Sequence, residues 1–282
     1  MTRSMNGRLA LCAAALMTTS FLTAPGRAVE LWGILPARNQ IVRVDPLTGD
    51  IFGGFTPPGG ALTPTQMFGG LTIAEGGATL LYQNPVANPT SLFRLNPDTG
   101  ALLSIEFMPA ASSPEFRAGL SFESDAGLSG TDAIFAVNDG APVQRQDGYG
   151  DTTLTNHTPP GATFAGALGG DDNGRHFLAT ENVGTRIQEF SPTTPNVILR
   201  TIPAPPSAAA LGGLAFDGQQ IYLSAFDGRL WTINPDTGAV LNNVLVNEGG
   251  LIGLAARAVP EPSVAALAAI GGAIALLRRR RR

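Results

Sequence analysis

A short motif recurs five times along the chain and constrains the fold more than any other feature. Each copy is an apolar segment that ends in a polar residue followed by Pro or Gly. The polar residue stands at positions 45, 96, 147, 191 and 234, so successive copies are 51, 51, 44 and 43 residues apart. A period of this size indicates units that stack or surround an axis. The copies are residues 40–46 (QIVRVDP), 91–97 (SLFRLNP), 142–148 (PVQRQDG), 186–192 (RIQEFSP) and 229–235 (RLWTINP).

Each repeat divides into four strand-like pieces. A Gly-Leu or Ala-Leu pair opens the first piece, an aromatic residue in an apolar run marks the second, the motif forms the third, and the fourth follows its turn. Four antiparallel strands per repeat favour the blades of a β-propeller, with a β-sandwich or a longer propeller as the alternatives. The opening pairs are 70–71, 119–120, 167–168, 213–214 and 250–251, and the aromatic pieces contain 31–32, 81–82, 134–135, 176–177 and 221–222.

Three copies of the motif continue into the same five-residue turn. The copies span 45–49, 96–100 and 234–238, and each has Pro in second place and Gly in fifth. Proline presets the first central position of a type I turn, and glycine accepts the left-handed conformation that lets the two strands pair again. These segments therefore predict tight hairpins between the third and fourth strands.

The two ends of the body predict how the ring closes. The first repeat lacks a Gly-Leu piece, and residues 249–257 supply one at the other end. The predicted all-β fold has five blades in residues 29–257. One blade is composite, because it combines strands from the start and the end of the body, and this pairing leaves no exposed strand edge where the ring closes. The repeat resembles the loosely defined blades of many bacterial exported propellers, which implies fold and not activity. The predicted blades are 29–56 with 249–257, 69–108, 118–158, 165–203 and 212–246.

The N-terminus has the pattern of a signal peptide. Arg3 and Arg8 precede an apolar run, and small residues follow, so residues 1–28 are predicted to be removed after Ala28. Cys12, the single cysteine, lies in this segment. The mature chain would have no disulfide, and its stability would come from a packed core.

The C-terminus, residues 258–282, has the pattern of a membrane anchor. An apolar run extends to Leu277, and Arg278, Arg279, Arg280, Arg281 and Arg282 follow it. A helix over this run, with Ser263 as its N-cap, is predicted to cross the bilayer, because Val259 to Leu277 reaches roughly 28 Å at helical rise. A basic cluster stays on the cytoplasmic side, so the body would lie on the opposite, periplasmic side.

The tail resembles the PEP-CTERM sorting signal of Gram-negative bacteria. The resemblance is carried by Val259, Pro260, Glu261 and Pro262, by the short apolar helix and by the basic end, and it covers only the last two dozen residues. It implies recognition by an integral-membrane processing enzyme, an exosortase, in bacteria that make extracellular polysaccharide. An ordinary C-terminal membrane anchor is the alternative.

The charge of the body argues against some partners. Residues 29–259 contain ten arginines and 21 acidic residues, a formal balance of −11. This balance disfavours nucleic-acid binding and adhesion to anionic lipid, because both ligands are polyanions. Plain solubility explains the charge, and a matrix with divalent cations or cationic polymer would also suit it.

Candidate catalytic groups are few. His157, predicted in a loop, and His176, predicted in a strand, are the only histidines, and no metal-ligand cluster or glycine-flanked serine elbow accompanies them. No metal or other cofactor is predicted, although the run at 171–174 offers oxygen ligands that suit calcium. Trp32 and Trp231 are predicted in the core. The carboxylates near turns are Glu123, Asp125, Asp147, Asp151, Asp171, Asp172, Asp217 and Asp227.

These features together predict an exported protein whose role is binding or structural. It would be held briefly in the inner membrane, then sorted to the cell surface or the extracellular polysaccharide matrix, with matrix polysaccharide or protein as its partner. A carbohydrate-active or lyase-type enzyme that uses carboxylates at the mouth of the channel is the alternative.

Overall fold

The computed structural model describes most of the body of the chain. Residues 1–27 of the predicted signal peptide and residues 260–282 of the predicted tail, with the rest of the sorting motif, the predicted helix and the arginines, lie outside the described residues. Within the described part, no helix is long and apolar enough to cross a membrane. The described residues are 28–58, 69–83, 90–109, 117–124, 132–138, 143–153, 155–157, 165–172, 174–180, 186–206 and 210–259.

The described strands form five antiparallel sheets of four strands, as predicted for a five-bladed propeller. In every blade the strands run in sequence from the innermost to the outermost, except that the innermost strand of blade 1 comes from the end of the body. Blade 1 contains β1 (Ala28–Leu35), β2 (Gln40–Val44) and β3 (Ile51–Phe55), together with β20 (Ile252–Val259).

The other four blades have the predicted order and bounds within a few residues. Blade 2 contains β4 (Gly70–Ala74), β5 (Thr79–Gln83), β6 (Ser91–Leu95) and β7 (Leu102–Phe107); blade 3 contains β8 (Arg117–Glu123), β9 (Ala133–Asn138), β10 (Val143–Asp147) and β11 (Thr155–His157). Blade 4 contains β12 (Ala165–Gly170), β13 (His176–Thr180), β14 (Arg186–Phe190) and β15 (Ile198–Pro203); blade 5 contains β16 (Leu211–Phe216), β17 (Ile221–Ala225), β18 (Arg229–Ile233) and β19 (Val240–Leu245).

The composite blade closes the ring as predicted. Strand β20 lies beside β1, and the Arg257 side chain near the end of β20 reaches Glu30 near the start of β1, with 3.0 Å between Nε and Oε2. The strand continues to Val259, two residues beyond the predicted end of the body at 257. The first residue of the predicted sorting motif is therefore the last residue of the ring.

The core lies between neighbouring blades. All five residues of β5, of β13 and of β17 are buried, because each blade is covered on both faces, whereas the outermost strands β7 and β19 alternate between half-buried and exposed residues. Trp32 and Trp231 are buried, which confirms their predicted place in the core.

Glycines on the innermost strands let the blades meet near the axis. A Cβ added at Gly70, Gly119, Gly169 or Gly213 would lie within 3.0 Å of atoms in the next blade. Gly253 completes the circle, because its added Cβ would meet the backbone of Gly69, beside blade 2. Any larger side chain at these positions would push two innermost strands apart.

The three predicted hairpins have one geometry. Gly49, Gly100 and Gly238 have φ of 80°, 71° and 72°, the left-handed values that the motif predicts. In the second copy Asn96 Oδ1 accepts hydrogen bonds from the N–H groups of Asp98 and Thr99, and Asn234 Oδ1 accepts the equivalent pair in the third copy. The polar residue before each proline thus holds the turn together.

Replacing Gly119 by alanine should destabilise the protein. The added methyl group would overlap the backbone of Leu168 in blade 4, and overpacking of this kind costs about 1–3 kcal/mol. Gly53→Ala is the matched control, because nothing lies within 4 Å of its added Cβ. Urea unfolding of both variants checks the expectation, and equal midpoints would contradict the close approach of the innermost strands.

Candidate functional site

The propeller has two faces that differ in what they carry. The turns after the first and the third strands of each blade lie on one face, which we call the turn face. The turns after the second strands and the connections between blades lie on the opposite face, which we call the connector face. The predicted carboxylates Glu123, Asp171, Asp172 and Asp217 lie on the turn face, at or just beyond the ends of innermost strands.

The Asp172 carboxylate joins three blades at the centre of the turn face. Its Oδ2 accepts a hydrogen bond from the N–H of Gly76 in blade 2, at 2.6 Å. Its Oδ1 accepts hydrogen bonds from the N–H and the Oγ–H of Ser124 in blade 3, at 3.1 and 2.9 Å. A single side chain of blade 4 therefore ties together the first turns of blades 2, 3 and 4.

The loop that meets Asp172 has an unusual backbone. Glu75, Gly76 and Gly77 have φ of 55°, 63° and 97°, and Glu75 is one of two non-glycine residues with positive φ in the described chain. Such a conformation is costly for a residue with a Cβ. The Glu75 carboxylate accepts a hydrogen bond from Thr79 Oγ1 at 2.6 Å and is paired with Arg94. These contacts hold the loop so that the N–H of Gly76 points at Asp172.

Tyr149 of blade 3 completes this cluster. Its hydroxyl donates to Glu75 Oε1 at 3.3 Å, and the Arg94 guanidinium lies 4.9 Å from the centre of its ring. Burial, and then the negative charge of Glu75, raise the pKa of Tyr149 well above its ordinary value. The phenol is therefore a neutral hydrogen-bond donor at neutral pH.

A serine, a histidine and a carboxylate form a line between blades 3 and 4. Ser121 Oγ lies 2.6 Å from His176 Nδ1, and Glu123 Oε2 lies 2.7 Å from His176 Nε2. The His176 ring also packs against Phe135 and Phe190, with ring centres 4.7 and 5.6 Å away. The order of groups is that of nucleophilic hydrolases.

Burial gives this line a structural role. Ser121 and His176 have no exposed surface, so a substrate carbonyl has no approach to Oγ. An added Cβ at Gly170 would meet both Ser121 Oγ and His176 Nδ1 within 3.0 Å, so the backbone of blade 4 covers the pair. The three side chains fasten blade 3 to blade 4 and satisfy the polar groups of a buried histidine.

Sequence reasoning missed Ser121 as the partner of His176. One signal was present: Ser121 and Glu123 are two residues apart on a strand and so share a face. Nothing in the sequence shows that this face meets the second strand of the next blade. His176 was correctly placed in a strand, but the prediction of a loop for His157 was wrong, because this residue ends β11, which pairs with β10.

In two copies of the motif, the arginine donates hydrogen bonds to the turn of the following blade. Arg43 donates to the backbone oxygens of Pro97 and Asp98 at 3.1 Å, and Arg145 donates to those of Pro192 and Thr193. Asn242 closes the circle by donating to the backbone oxygens of Pro46 and Leu47. The motif thus contributes to contacts between blades as well as to the hairpins.

Between blades 4 and 5, a cluster of charged side chains makes the contact with the turn of the following blade. Arg175 Nε lies 2.7 Å from Glu189 Oε1, and Arg200 Nη2 lies 2.5 Å from Glu189 Oε2. Arg200 also reaches Asp236 in the turn of blade 5, at 2.9 Å. Burial alone would raise the pKa of Glu189, but the hydrogen bonds and charges of the two arginines lower it overall.

The remaining predicted carboxylates bind separate partners. Asp147 accepts from Arg145, and Asp151 accepts from the N–H and Oγ–H of Thr153, so the two do not form a pair. Asp217 and Asp227 accept backbone N–H groups of their own turns. Asp125 and Asn173 lie outside the described residues. Among the residues that the structure describes, no group of three His, Cys, Asp or Glu side chains is arranged to hold a metal ion.

Comparisons with known proteins find structural likeness at low sequence identity. No known protein family matches the chain, and no curated protein matches it. A protein of unknown function from Bacteroides caccae is 12% identical, with 78% of this chain and 73% of that chain covered and a TM-score of 0.40. A chain of a mitotic checkpoint complex is 12% identical (69% and 56% covered, TM-score 0.41), and the computationally designed Ika8 protein is 14% identical (76% and 61% covered, TM-score 0.40).

The Glu189 cluster predicts a pH dependence of stability. A carboxyl whose pKa is lower in the folded than in the unfolded protein stabilises the fold above its unfolded pKa of about 4.3, and that contribution is lost as pH falls through the folded value. Glu189→Gln should therefore flatten the fall in unfolding free energy between about pH 5 and pH 3. Urea unfolding of the wild type and of Glu189→Gln at several pH values in this range measures the pH dependence of the unfolding free energy.

Glu248→Gln is the control for loss of one negative charge. Glu248 pairs with Arg38 at the surface, where the two side chains are 36% and 44% exposed, and exposed pairs contribute little. The control should keep more of the wild-type pH dependence than Glu189→Gln does. An unchanged dependence in Glu189→Gln would show that the two arginines do not stabilise its carboxylate.

Proposed function

We propose that the chain is exported, anchored briefly in the inner membrane by its C-terminal segment, and then sorted to the cell surface or the extracellular matrix. The observation that carries the proposal is the order of parts after the ring: Val259, Pro260, Glu261 and Pro262, then an uncharged apolar run, then five arginines. An exosortase-like membrane enzyme is the proposed processing partner. The signal peptide predicted for residues 1–28 supports export.

The proposed role of the body is binding or structural. Polar groups at the turn face are engaged with one another: Asp172 joins three blades, Glu75 is bound by Arg94, Thr79 and Tyr149, and Glu123 is bound to His176. Such contacts make a rigid ring that presents turns to a partner. Polysaccharide or protein of the matrix is the proposed ligand, and the acidic balance disfavours nucleic acid.

Two kinds of tail variant separate sorting from simple anchoring. Changing Pro260 and Pro262 to alanine should leave a full-length protein in the inner-membrane fraction, because the apolar segment still inserts but the processing motif is lost. Ending the chain at Val259 should release the body into the periplasm, because nothing remains to anchor it. Cell fractionation followed by immunoblotting measures both results.

Replacing Arg278 to Arg282 by lysines is the matched control. It keeps the positive charge that sets orientation, so the body should still reach the periplasmic side. A wild-type protein that stays full-length in the cytoplasm would contradict the proposal. Normal processing of the alanine variant would show that the tail is only an anchor.

A carbohydrate-active enzyme is the second candidate function. The observation in its favour is that Asp172 bonds to the residues that directly follow Glu75 and Glu123, so acidic residues of three blades lie in neighbouring turns of the turn face. Glycosidases use two carboxyl groups across the scissile bond. In this candidate function, Glu123 and Asp172 would flank the substrate.

Incubation of the purified protein with the polysaccharide of its own matrix tests this candidate. An enzyme should release new reducing ends, or unsaturated ends for a lyase, and Glu123→Gln should lower the rate by two orders of magnitude or more. Asp227→Asn, on the connector face, should keep the full rate. Absence of new ends with the wild-type protein would eliminate the candidate.

A further inference from the structure

Blade 3 has two buried glutamines where most copies of the motif have apolar side chains. Gln144 and Gln146 of β10 are 3% and 0% exposed. They are two residues apart on a strand and therefore share one face. Gln146 Nε2 donates to the backbone oxygen of Phe107 in β7 at 3.0 Å, so this face meets blade 2. The residues in the place of Gln146 are Val44, Leu95, Phe190 and Ile233, and those in the place of Gln144 are Val42, Phe93, Gln188 and Trp231.

Each of these glutamines has a carboxamide oxygen without a partner. Gln144 Nε2 donates to Asn156 Oδ1 at 3.2 Å. Gln146 Nε2 donates to the backbone oxygens of Phe107 and Asp151, at 3.0 and 3.1 Å. Both Oε1 atoms are buried, and neither has a hydrogen-bond partner among the described residues. Because a buried acceptor without a partner destabilises a fold, two of them on one strand face indicate a role in binding a donor.

The side chains of blade 2 that face the glutamines are polar or charged. The Arg94 guanidinium lies against the Tyr149 ring of blade 3, so its side chain points towards that blade. Ser104 pairs with Arg94 across β6 and β7, and Glu106 is two residues farther along, so both share the face of Arg94. Arg94 Nη1 lies 3.6 Å from Glu106 Oε1, which also accepts from Ser104 Oγ at 2.7 Å. Arg94 Nε is buried and has no partner among the described residues, so this wall adds a donor.

These side chains form a polar cleft between blades 2 and 3, which we call the rim cleft. Its outer end meets solvent, because Asn156 is exposed and Ser104 and Glu106 are half-buried. Its unpartnered groups are two acceptors and one donor. A cation would meet the guanidinium of Arg94 and an anion would meet the carboxylate of Glu106, whereas a neutral hydroxyl group both donates and accepts. The rim cleft is lined by Arg94, Ser104, Glu106, Gln144, Gln146 and Asn156.

We infer that the rim cleft binds hydroxyl groups of a neutral sugar in the matrix polysaccharide. The inference rests on the proposed function, which gives matrix polysaccharide or protein as the ligand but no site on the body. The Oε1 atoms of Gln144 and Gln146 accept from sugar hydroxyls, and Arg94 Nε donates to a sugar oxygen. Because these atoms are buried, the sugar reaches them when the side chains of Glu106 and Asn156 at the opening move aside. Ordered water offers the same hydrogen bonds, so an experiment must separate the two sources.

Gln144→Met removes one of the two oxygens and keeps a side chain of similar volume. The variant should be as stable as the wild type, because it removes a buried atom without a partner, and should bind about tenfold more weakly, because a hydrogen bond to the sugar is lost. Gln188→Met is the matched control. It makes the same change at the same motif position of blade 4, where the side chain is 5% exposed, and should leave the affinity unchanged. Asn156→Arg, at an exposed position, should block the opening and weaken binding at least as much.

Isothermal titration calorimetry of the full chain in detergent measures the affinity, and urea unfolding measures the stability. The probe is a set of short neutral oligosaccharides prepared from the polysaccharide of its own matrix. Equal affinity in Gln144→Met and the wild type would show that only water meets these oxygens, and would overturn the inference while the proposed function stands. If Gln144→Met does not fold, Asn156→Arg decides in the same way. Absence of binding by the wild type would overturn the inference together with polysaccharide as the ligand of the proposed function.

Discussion

Close contact between innermost strands is the constraint on which the structure depends. Five blades give a small ring, and glycine at Gly70, Gly119, Gly169 and Gly213 lets each innermost strand touch the next. The fifth contact uses Gly253 on β20, so the circle is complete only when the last strand of the body joins blade 1. A ring closed in this way has no free innermost strand at which another chain could add.

The polar contacts of the turn face follow from this packing. Once the innermost strands touch, their turns are crowded, and the polar groups there must find partners in other blades. The Asp172 carboxylate accepts hydrogen bonds from the turns of blades 2 and 3. The line from Ser121 through His176 to Glu123 pairs polar groups across the interface of blades 3 and 4. A constellation that resembles a catalytic site can thus arise from the geometry of closure.

Local patterns made most of the fold predictable. The hairpin at 96–100 has its proline, its side-chain acceptor and its glycine within five residues, and the repeat predicted five blades, which the structure has. The candidate site was predictable only as a set of carboxylates near turns. Asp172 lies 96 residues from Gly76 and 48 from Ser124, about two repeats and one repeat, so the period places the three turns at equivalent positions in their blades. The period does not show which side chain reaches which backbone group. The period likewise does not show that Ser121 of blade 3 contacts His176 of blade 4.

Closure by the last strand also orders events in time. Glu30 and Arg257 are 227 residues apart in the chain, so this contact closes nearly the whole body into a loop. Contacts over such separations form late, because the entropy of loop closure must first be overcome. Blades 2 to 5 are each built from strands that are consecutive in the chain, but blade 1 is complete only when β20 is present. The last strand therefore makes completion of blade 1 and closure of the ring a single event, and neither can precede synthesis of residues 252–259.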